Sequence, residues 1–336
     1  MKKILITGIT GQLGGALSER LAQKDYSVVC LIRKPKEKYP LDLGPFEVLV
    51  ADITDRDSVF RYSNTLKGRI DTIVHMASPG DSAPKRELYN SILNGTVNLY
   101  DFANRIQCPK FIYFSSILAA GWTPRAMPYV DENFIPPTGR PAWPAGRLCY
   151  YGRMKLEAER RIMKLSKNNF TKTIILRPGN IYGPPKLSFV KFVVNLLRAK
   201  NKVFYRRAKR SIMWAPIHTQ DAIDCVFTAI EKETFNNQKY FLTGEESPTL
   251  EELAKIAAGI IKMPIEEMEN LGFRDKAKLA AHQTLDSLRY IFGRPSFPDF
   301  IYSNRKIKNE LGFKPKIKLA DGIAQTINWA RGKGFL

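Results

Sequence analysis

The sequence predicts an α/β protein: a doubly wound parallel sheet of about seven strands, with a smaller, discontinuous, mostly helical unit toward the C-terminus. Three observations carry this. Short apolar runs alternate with helical patterns along most of the 336 residues. The runs are continuously apolar rather than alternating, which suits strands covered on both faces. The first run feeds directly into a glycine turn and then into a helical stretch.

In chain order, residues 2–7 form the first strand and 13–24 the first helix, with Leu13, Leu17 and Leu21 four apart on one side. Strands follow at 27–32, 47–51 and 72–75, separated by helices at 57–66 and 86–105. A fifth strand occupies 111–115, a charged helix 151–166, and the sixth and seventh strands 173–176 and 239–243. Helices at 250–261 and 320–331 dominate the remainder. The division expected is 1–176 with about 217–245 as a dinucleotide-binding unit, and about 177–216 with 246–336 as a substrate-side unit. Between them, residues 121–147 are rich in proline and aromatics and read as a long ordered loop.

The opening turn is the most informative local feature. Residues 4–13 read I-L-I-T-G-I-T-G-Q-L, and Gly8, Gly11 and Gly14 are spaced G-x-x-G-x-x-G, which departs from G-x-G-x-x-G. A strand ending where a helix begins presents unpaired N–H groups and the positive end of the helix dipole to a pyrophosphate. Gly8 permits the tight turn, Gly11 the close approach of phosphate, and Gly14 the packing of helix near strand.

Composition narrows the classes. Apolar content of 44% and charged content of 25% are those of an ordinary folded domain, but the net charge of +21 is not. Such a charge suits nucleic acid, an anionic surface or anionic substrates. The basic residues are scattered, however. Their densest group, Arg206, Arg207, Lys209 and Arg210, has no aromatic platform beside it. A solvated basic surface is expected, with no nucleic-acid partner. Cys30, Cys108, Cys149 and Cys225 lie far apart without C-x-x-C pairs or a histidine cluster, so no metal site and no disulfide framework are expected. Met1-Lys2-Lys3 precedes an apolar stretch that Thr7 and Gly8 cut too short for a signal peptide. No run approaches a membrane span, and a cytoplasmic location is expected.

Two further groups carry chemistry. Tyr151 and Lys155 are four apart at the start of a helix and share a face. A lysine cation favours the phenolate, typically moving such a pKa by roughly 1–3 units from about 10, which makes Tyr151 a candidate for proton transfer. Tyr150 pairs with Met154 instead. Ser115 and Ser116 close the fifth strand, where open α/β sheets bind ligands.

Taken in order, T-G-I-T-G-Q-L-G, the A-D-I-T-D-R-D-S-V at 51–59, H-M-A at 75–77, F-S-S at 114–116, Y-G-R-M-K at 151–155, L-R-P-G-N-I-Y-G-P at 176–184 and L-G-F-K-P at 311–315 resemble an extended short-chain dehydrogenase/reductase of the NAD(P)-dependent epimerase/dehydratase superfamily. The resemblance covers nearly the whole chain. It implies a Rossmann domain with a small C-terminal substrate domain. It also implies hydride transfer at a carbinol or carbonyl carbon and a triad of Ser116, Tyr151 and Lys155. Ser116 rather than Ser115 matches, because Gly121 stands five residues on. Cofactor contacts are implied at Gly8, Thr10, Gly11, Gln12, Leu13 and Gly14, at Met76, Ala77 and Ser78, and at Pro178, Asn180 and Ile181. Asp52 and Ile53 match an adenine-contacting pair, Tyr151 is implied among the cofactor contacts as well as in the triad, and Lys155 is implied at the nicotinamide ribose. A homodimer through the helices at 151–166 and 86–105 is implied as well.

The departures from the family refine the expectation. At the end of the second strand, Ile32 stands where an acid would bind a ribose 2′-OH, and Arg33 and Lys34 follow. An arginine fork grips a 2′-phosphate that a carboxylate repels, so NADP is expected over NAD. Ile117 and Leu118 follow Ser116 where dehydratases and decarboxylases of the superfamily carry acids, which disfavours elimination. The segment W-A-P-I-H-T-Q-D at 214–221 has Trp214 where nucleotide-sugar epimerases carry a diphosphate-binding arginine, with Arg207 or Arg210 the remaining candidates for that charge. The C-terminal W-A-R-G-K-G-F-L resembles members acting on 3β-hydroxysteroids and dihydroflavonols. A small, apolar hydroxyl/ketone substrate is therefore expected near Ser78, Ile117, Trp143, Asn180 and Trp214. A nucleotide-sugar epimerase and a non-catalytic NADP-binding sensor are the rival readings. His75 and His218 are expected in the core, and the asparagine of the family's N-x-x-G-T falls at Ile92.

Overall fold

The computed structural model describes residues 1–35, 46–121, 129–134, 147–185, 187–197, 202–210, 214–233, 236–262, 271–291 and 301–336. Seven strands form one wholly parallel sheet: β1 (Lys3–Thr7), β2 (Ser27–Ile32), β3 (Glu47–Val50), β4 (Thr72–His75), β5 (Lys110–Phe114), β6 (Lys172–Pro178) and β7 (Gln238–Leu242). Their order is β7-β6-β5-β4-β1-β2-β3. The order reverses between β1 and β4, and a ligand crevice opens at such a switch point beyond the strands' carboxyl ends.

Strand periodicity explains why the runs are uniformly apolar. In β1, Ile4 and Ile6 join the core on one face while Leu5 joins the core on the other, all three fully buried. The first face is covered by α1 (Gln12–Ala22) and by α7 (Thr219–Glu231), with Leu17 and Leu21 buried one turn apart as their spacing required. The second is covered by α3 (Gly95–Arg105) and α4 (Arg147–Ser166). A short helix, α2 (Arg56–Phe60), follows β3 and is capped by the Asp55 carboxylate, which accepts from the N–H groups of Asp57 at 3.1 Å and Ser58 at 3.3 Å. The single helix expected over 57–66 is in fact two, because Tyr62 leaves helical geometry before Ser63–Leu66. The helix expected over 86–105 begins as Lys85–Leu88 and widens to a π-helical stretch, Tyr89–Asn94, that runs into α3.

A third apolar cluster holds the helical layer together. Here α5 (Leu187–Leu197), α6 (Lys202–Ala208), α8 (Leu250–Ile261) and α10 (Leu319–Gly332) pack around residues such as Phe189, Tyr205, Leu253 and Ile323. A capping box between Thr249 and Glu252 starts α8 where the sequence placed it. Short parallel strands tie this layer to the sheet: Asn180–Tyr182 pairs with Pro216–His218, and Tyr129–Val130 with Ile301–Tyr302. Ile307, Leu311 and Phe313, which the sequence division gives to the smaller unit, pack into the sheet's own core. The helix α9 (Phe273–Ile291) is exposed along most of its described length. Among the described residues, no helix is long and apolar enough to cross a membrane.

Candidate active site

The glycine turn is fixed by what surrounds it. Gly8 has φ of +82°, and a Cβ there would lie 2.6 Å from the Ala77 nitrogen and 2.7 Å from the Met76 carbonyl carbon. A Cβ on Gly14 would fall into the Gly8 carbonyl and within 2.9 Å of the Ile9 Cα. β1, α1 and the segment after β4 therefore meet at closest backbone approach. Gly11 caps α1 with no side-chain hydrogen bond, and no acid occupies the first turn. The helix N-terminus is left to a negatively charged ligand.

Beneath this turn, His75 is wholly buried and bridges two threonines, with Nδ1 2.7 Å from Thr7 Oγ1 and Nε2 3.0 Å from Thr96 Oγ1. Thr96 donates onward to the Ile92 carbonyl, so its oxygen accepts from Nε2–H and leaves Nδ1 as acceptor for Thr7. Thr7 in turn accepts from the Ala77 N–H at 3.3 Å. Burial pushes the His75 imidazole down to about 3, and the charge of Lys155 pushes the same way. The ring is neutral, and it acts as a strut for the backbone that faces Gly8. His218 is likewise buried, its Nδ1 accepting from Gln220 N.

Two adjoining cavities run along the carboxyl edge of the sheet. The first, about 330 Å³, is lined by Gly8, Thr10 and Gly11, by Arg33 at the end of β2, by Asp52 and Ile53 after β3, and by Met76, Ala77 and Ser78 after β4. Asp52 is held by Thr54, whose N–H and hydroxyl both donate to Oδ1. Lys34 follows Arg33 but lines neither cavity. The second cavity, about 620 Å³, shares Gly8, Gly11, Met76 and Ser78 with the first and adds Leu13 and Gly14. It brings together Ser116, Tyr151 and Lys155, with Pro178, Asn180 and Ile181 on the facing wall. Volumes of this order suit a dinucleotide with a small second ligand.

The three chemistry-bearing side chains are held differently. Ser116 caps the turn Ile117–Ala120, its Oγ accepting from Leu118 N at 3.1 Å. Ser115 turns the other way and donates to the buried Glu159 carboxylate. Lys155 is buried, its Nζ donating to the Phe114 carbonyl at 2.8 Å and lying 5.6 Å from the centre of the Tyr151 ring. Burial pushes the Lys155 amine down to about 7, opposed by the nearby Glu159 charge. Burial likewise pushes the Tyr151 phenol up to about 12, against the pull of its hydrogen bond with Ser78 and with the push of Asp81. The lowered phenol pKa expected from the lysine spacing does not appear. Desolvation is the largest cause of the rise, and burial also lowers the lysine's own affinity for its proton.

The far end of the second cavity is aromatic. Trp214 lies against Phe189 with ring centres 4.8 Å apart, against Phe192 at 6.3 Å in a stacked arrangement, and against Tyr182 at 6.0 Å. Asn180 Oδ1 accepts from Ala215 N at 3.2 Å, fixing Trp214's neighbour beside it. Of the expected substrate-side residues, Ser78, Asn180 and Trp214 line this cavity. Ile117 does not: it packs against the small cluster of Ala120, Val130, Ala215, Phe241 and Tyr302, and Leu118 faces the cavity in its place. The turn that Ser116 caps rotates successive side chains, so the inward position falls one residue later. Trp143 and the Gln12 side chain lie outside the described residues. Sequence reasoning missed Phe189 and Phe192, although their spacing of three on an apolar helix was available as a signal, and it missed Asp81.

The sheet order, glycine turn and edge cavity define a dinucleotide-binding enzyme of the Rossmann type. Residues 4–242 match the model of the NAD dependent epimerase/dehydratase family, and the chain belongs to that family, among the extended short-chain dehydrogenases/reductases. It is 24% identical to the sterol-4-alpha-carboxylate 3-dehydrogenase, decarboxylating, of Candida albicans, over 98% of this chain and 97% of that protein. It is 26% identical to the UDP-glucose 4-epimerase of Vibrio cholerae, over 97% and 94% respectively. Its fold is shared with MoeE5 in complex with UDP-glucuronic acid and NAD, with a TM-score of 0.72, 19% identity, and 98% and 99% of the two chains covered.

Proposed function

We propose that the protein is an NADP-dependent oxidoreductase acting on the hydroxyl/ketone pair of a small, apolar, steroid- or flavonol-like substrate. The observation that supports this most is the meeting of Ser116, Tyr151 and Lys155 with the glycine turn at one end of a cavity whose other end is aromatic. The bared N-terminus of α1 and the two glycine contacts fit a pyrophosphate, and Arg33, with Ile32 before it, fits a 2′-phosphate.

Bound there, the nicotinamide supplies or accepts the hydride. Tyr151 then exchanges a proton with the substrate oxygen, donating it as a ketone is reduced and taking it as an alcohol is oxidised. Ser116 holds that oxygen by a hydrogen bond. Lys155 brings positive charge toward the phenol and, as the family resemblance implies, a donor for the nicotinamide ribose. The aromatic wall of Phe189, Phe192 and Trp214 offers apolar surface to a substrate, and these three side chains carry no charge for a diphosphate. Residues about 177–216 and 246–336 act as the substrate side in this reading, and two copies pair through α3 and α4.

The test is oxidation of NADPH and of NADH in the presence of a 3-ketosteroid or UDP-glucose. Oxidation with the steroid, and tighter binding of NADPH than NADH, is the expected result. Conversion of UDP-glucose to its 4-epimer with no net consumption of NADPH replaces this reading by the epimerase one. Tighter binding of NADH removes the NADP assignment.

A further inference from the structure

A buried ion pair lies directly behind the reacting groups. Glu159 stands one turn beyond Lys155 and two beyond Tyr151 on α4, and its side chain is 3% exposed. Arg177 on β6 reaches it as a fork, with Nε 2.9 Å from Oε1 and one terminal nitrogen 2.5 Å from Oε2. Replacing such a buried pair with apolar residues is often neutral or stabilising. Stability is therefore a weak reason for its presence, and its connections supply a stronger one. The Ser115 hydroxyl donates to Glu159, Lys155 Nζ donates to the carbonyl of Phe114, and Ser115 N donates to the carbonyl of Leu176, next to Arg177. Two successive residues before Ser116 are thus tied to α4 or to β6. Behind Arg177, the ring of Phe241 lies 5.6 Å from the guanidinium, and the Phe241 N–H donates at 2.7 Å to the buried Glu132 carboxylate. Charges alternate through the interior from Glu132 to Arg177, Glu159 and Lys155.

We propose that the Glu159–Arg177 pair is a positioning device: it staples the strand end carrying Ser116 to the helix carrying Tyr151 and Lys155. Among the described residues, the titratable groups facing the Lys155 amine are Tyr151 and Glu159 from its own helix, Tyr113 from β5 and the neutral His75 from β4. Of these, Glu159 is the one carboxylate, and it raises the affinity of the amine for its proton. Arg177 holds the carboxylate in place by the forked contact. The inference rests on the roles proposed above for Ser116, Tyr151 and Lys155.

The experiment compares the parent with Glu159→Gln/Arg177→Met, which removes both charges together and so leaves neither one buried alone. Nitrogen-15 labelling of lysine follows the Lys155 amine, assigned by the resonance missing in Lys155→Met. In the double variant the titration midpoint is expected to fall by about one to three pH units. Turnover of NADPH with a 3-ketosteroid is expected to drop about tenfold or more, with NADPH affinity unchanged. A midpoint and a kcat equal to the parent's overturn the proposal. If the double variant does not fold, Ser115→Ala, which leaves both charges in place, gives the reading: lowered kcat at unchanged NADPH affinity supports the staple, and parental kcat overturns it. Tyr151→Phe run in parallel separates the two ideas. Parental turnover in that variant sinks the proposed function itself, whereas an inactive Tyr151→Phe beside a fully active double variant sinks the staple alone. The amine titration needs no substrate and stands if the steroid is not turned over.

Discussion

The glycine-lined end of the trough and its aromatic end are built by different means. At the first, backbone meets backbone: Gly8 against Met76 and Ala77, Gly14 against the Gly8 carbonyl, and the start of α1 with no side-chain cap. At the second, side chains from separate segments meet: Phe189 and Phe192 from α5 and Trp214 from the segment before Pro216–His218. A backbone-built end tolerates almost no change of residue but accepts any ligand with the right phosphate geometry. A side-chain-built end can be resurfaced without disturbing the sheet. One family can therefore keep its cofactor and vary its substrate.

The sharpest way to break this comparison is at the join, where Tyr151 and Lys155 face both ends. Tyr151→Phe removes one hydroxyl and leaves the ring's packing. Turnover should fall by about 10²–10⁴-fold, the range for losing a general acid–base, with a much smaller change in cofactor affinity. A variant that loses cofactor binding in step with turnover would place Tyr151 at the wrong end. Lys155→Met acts on stability as well. Its amine titrates at about 7 when folded against an ordinary 10.5, so between those values the unfolded chain binds more protons and stability rises with pH. The cost of burying the charge is fully present below about pH 7 and gone above about 10.5. Lys155→Met should therefore be inactive yet melt higher than the parent near pH 6.5, with the gap closing toward pH 10. A Tm difference that does not change with pH would show that the amine is not the source.

Next comes the glycine end. Gly14→Ala drives a methyl into backbone that has no rotamer to yield, with an expected loss of about 1–3 kcal/mol from overpacking and a weakened dinucleotide site. Thermal unfolding and NADPH titration read the two effects separately. An unchanged melting point would mean that α1 can slide away from β1, and that this end is softer than its contacts imply.

The same contrast explains how much was legible in the sequence. The turn was readable because strand, glycines and helix are contiguous, and local spacing encodes a local backbone path. The seven strands were readable because each is centred on a short apolar run, whereas their order in the sheet was not read from the sequence and comes from the structure. The Tyr151–Lys155 face was readable from helical spacing, but its electrostatics were not. The carboxylate beside Lys155 and the desolvation of Tyr151 arise from the way α4 lies on β5 and β6. The side on which Ile117 packs was not readable for a related reason. A capped turn of four residues has no period from which to tell its inward side, and the cavity receives Leu118 instead. Phe192 and Trp214 lie 22 positions apart in the sequence yet stack in space, and a local window cannot see such a pair.

The smallest effect belongs to the aromatic end, and it tests the comparison from that side. Phe192 is half-buried and covers one face of Trp214, so Phe192→Ala widens the cavity without opening the sheet. For an apolar ketone, KM should rise about tenfold, equivalent to about 1.4 kcal/mol of lost contact, while kcat and cofactor affinity hold. Trp214→Arg is the complementary change. It should weaken the ketone further and give UDP a cationic partner, measurable as new competition by UDP against substrate. If Phe192→Ala instead lowers kcat with KM unmoved, the aromatic wall orients the reacting carbon rather than merely receiving apolar surface. The two ends would then be one device, and the separation argued from their construction would fail.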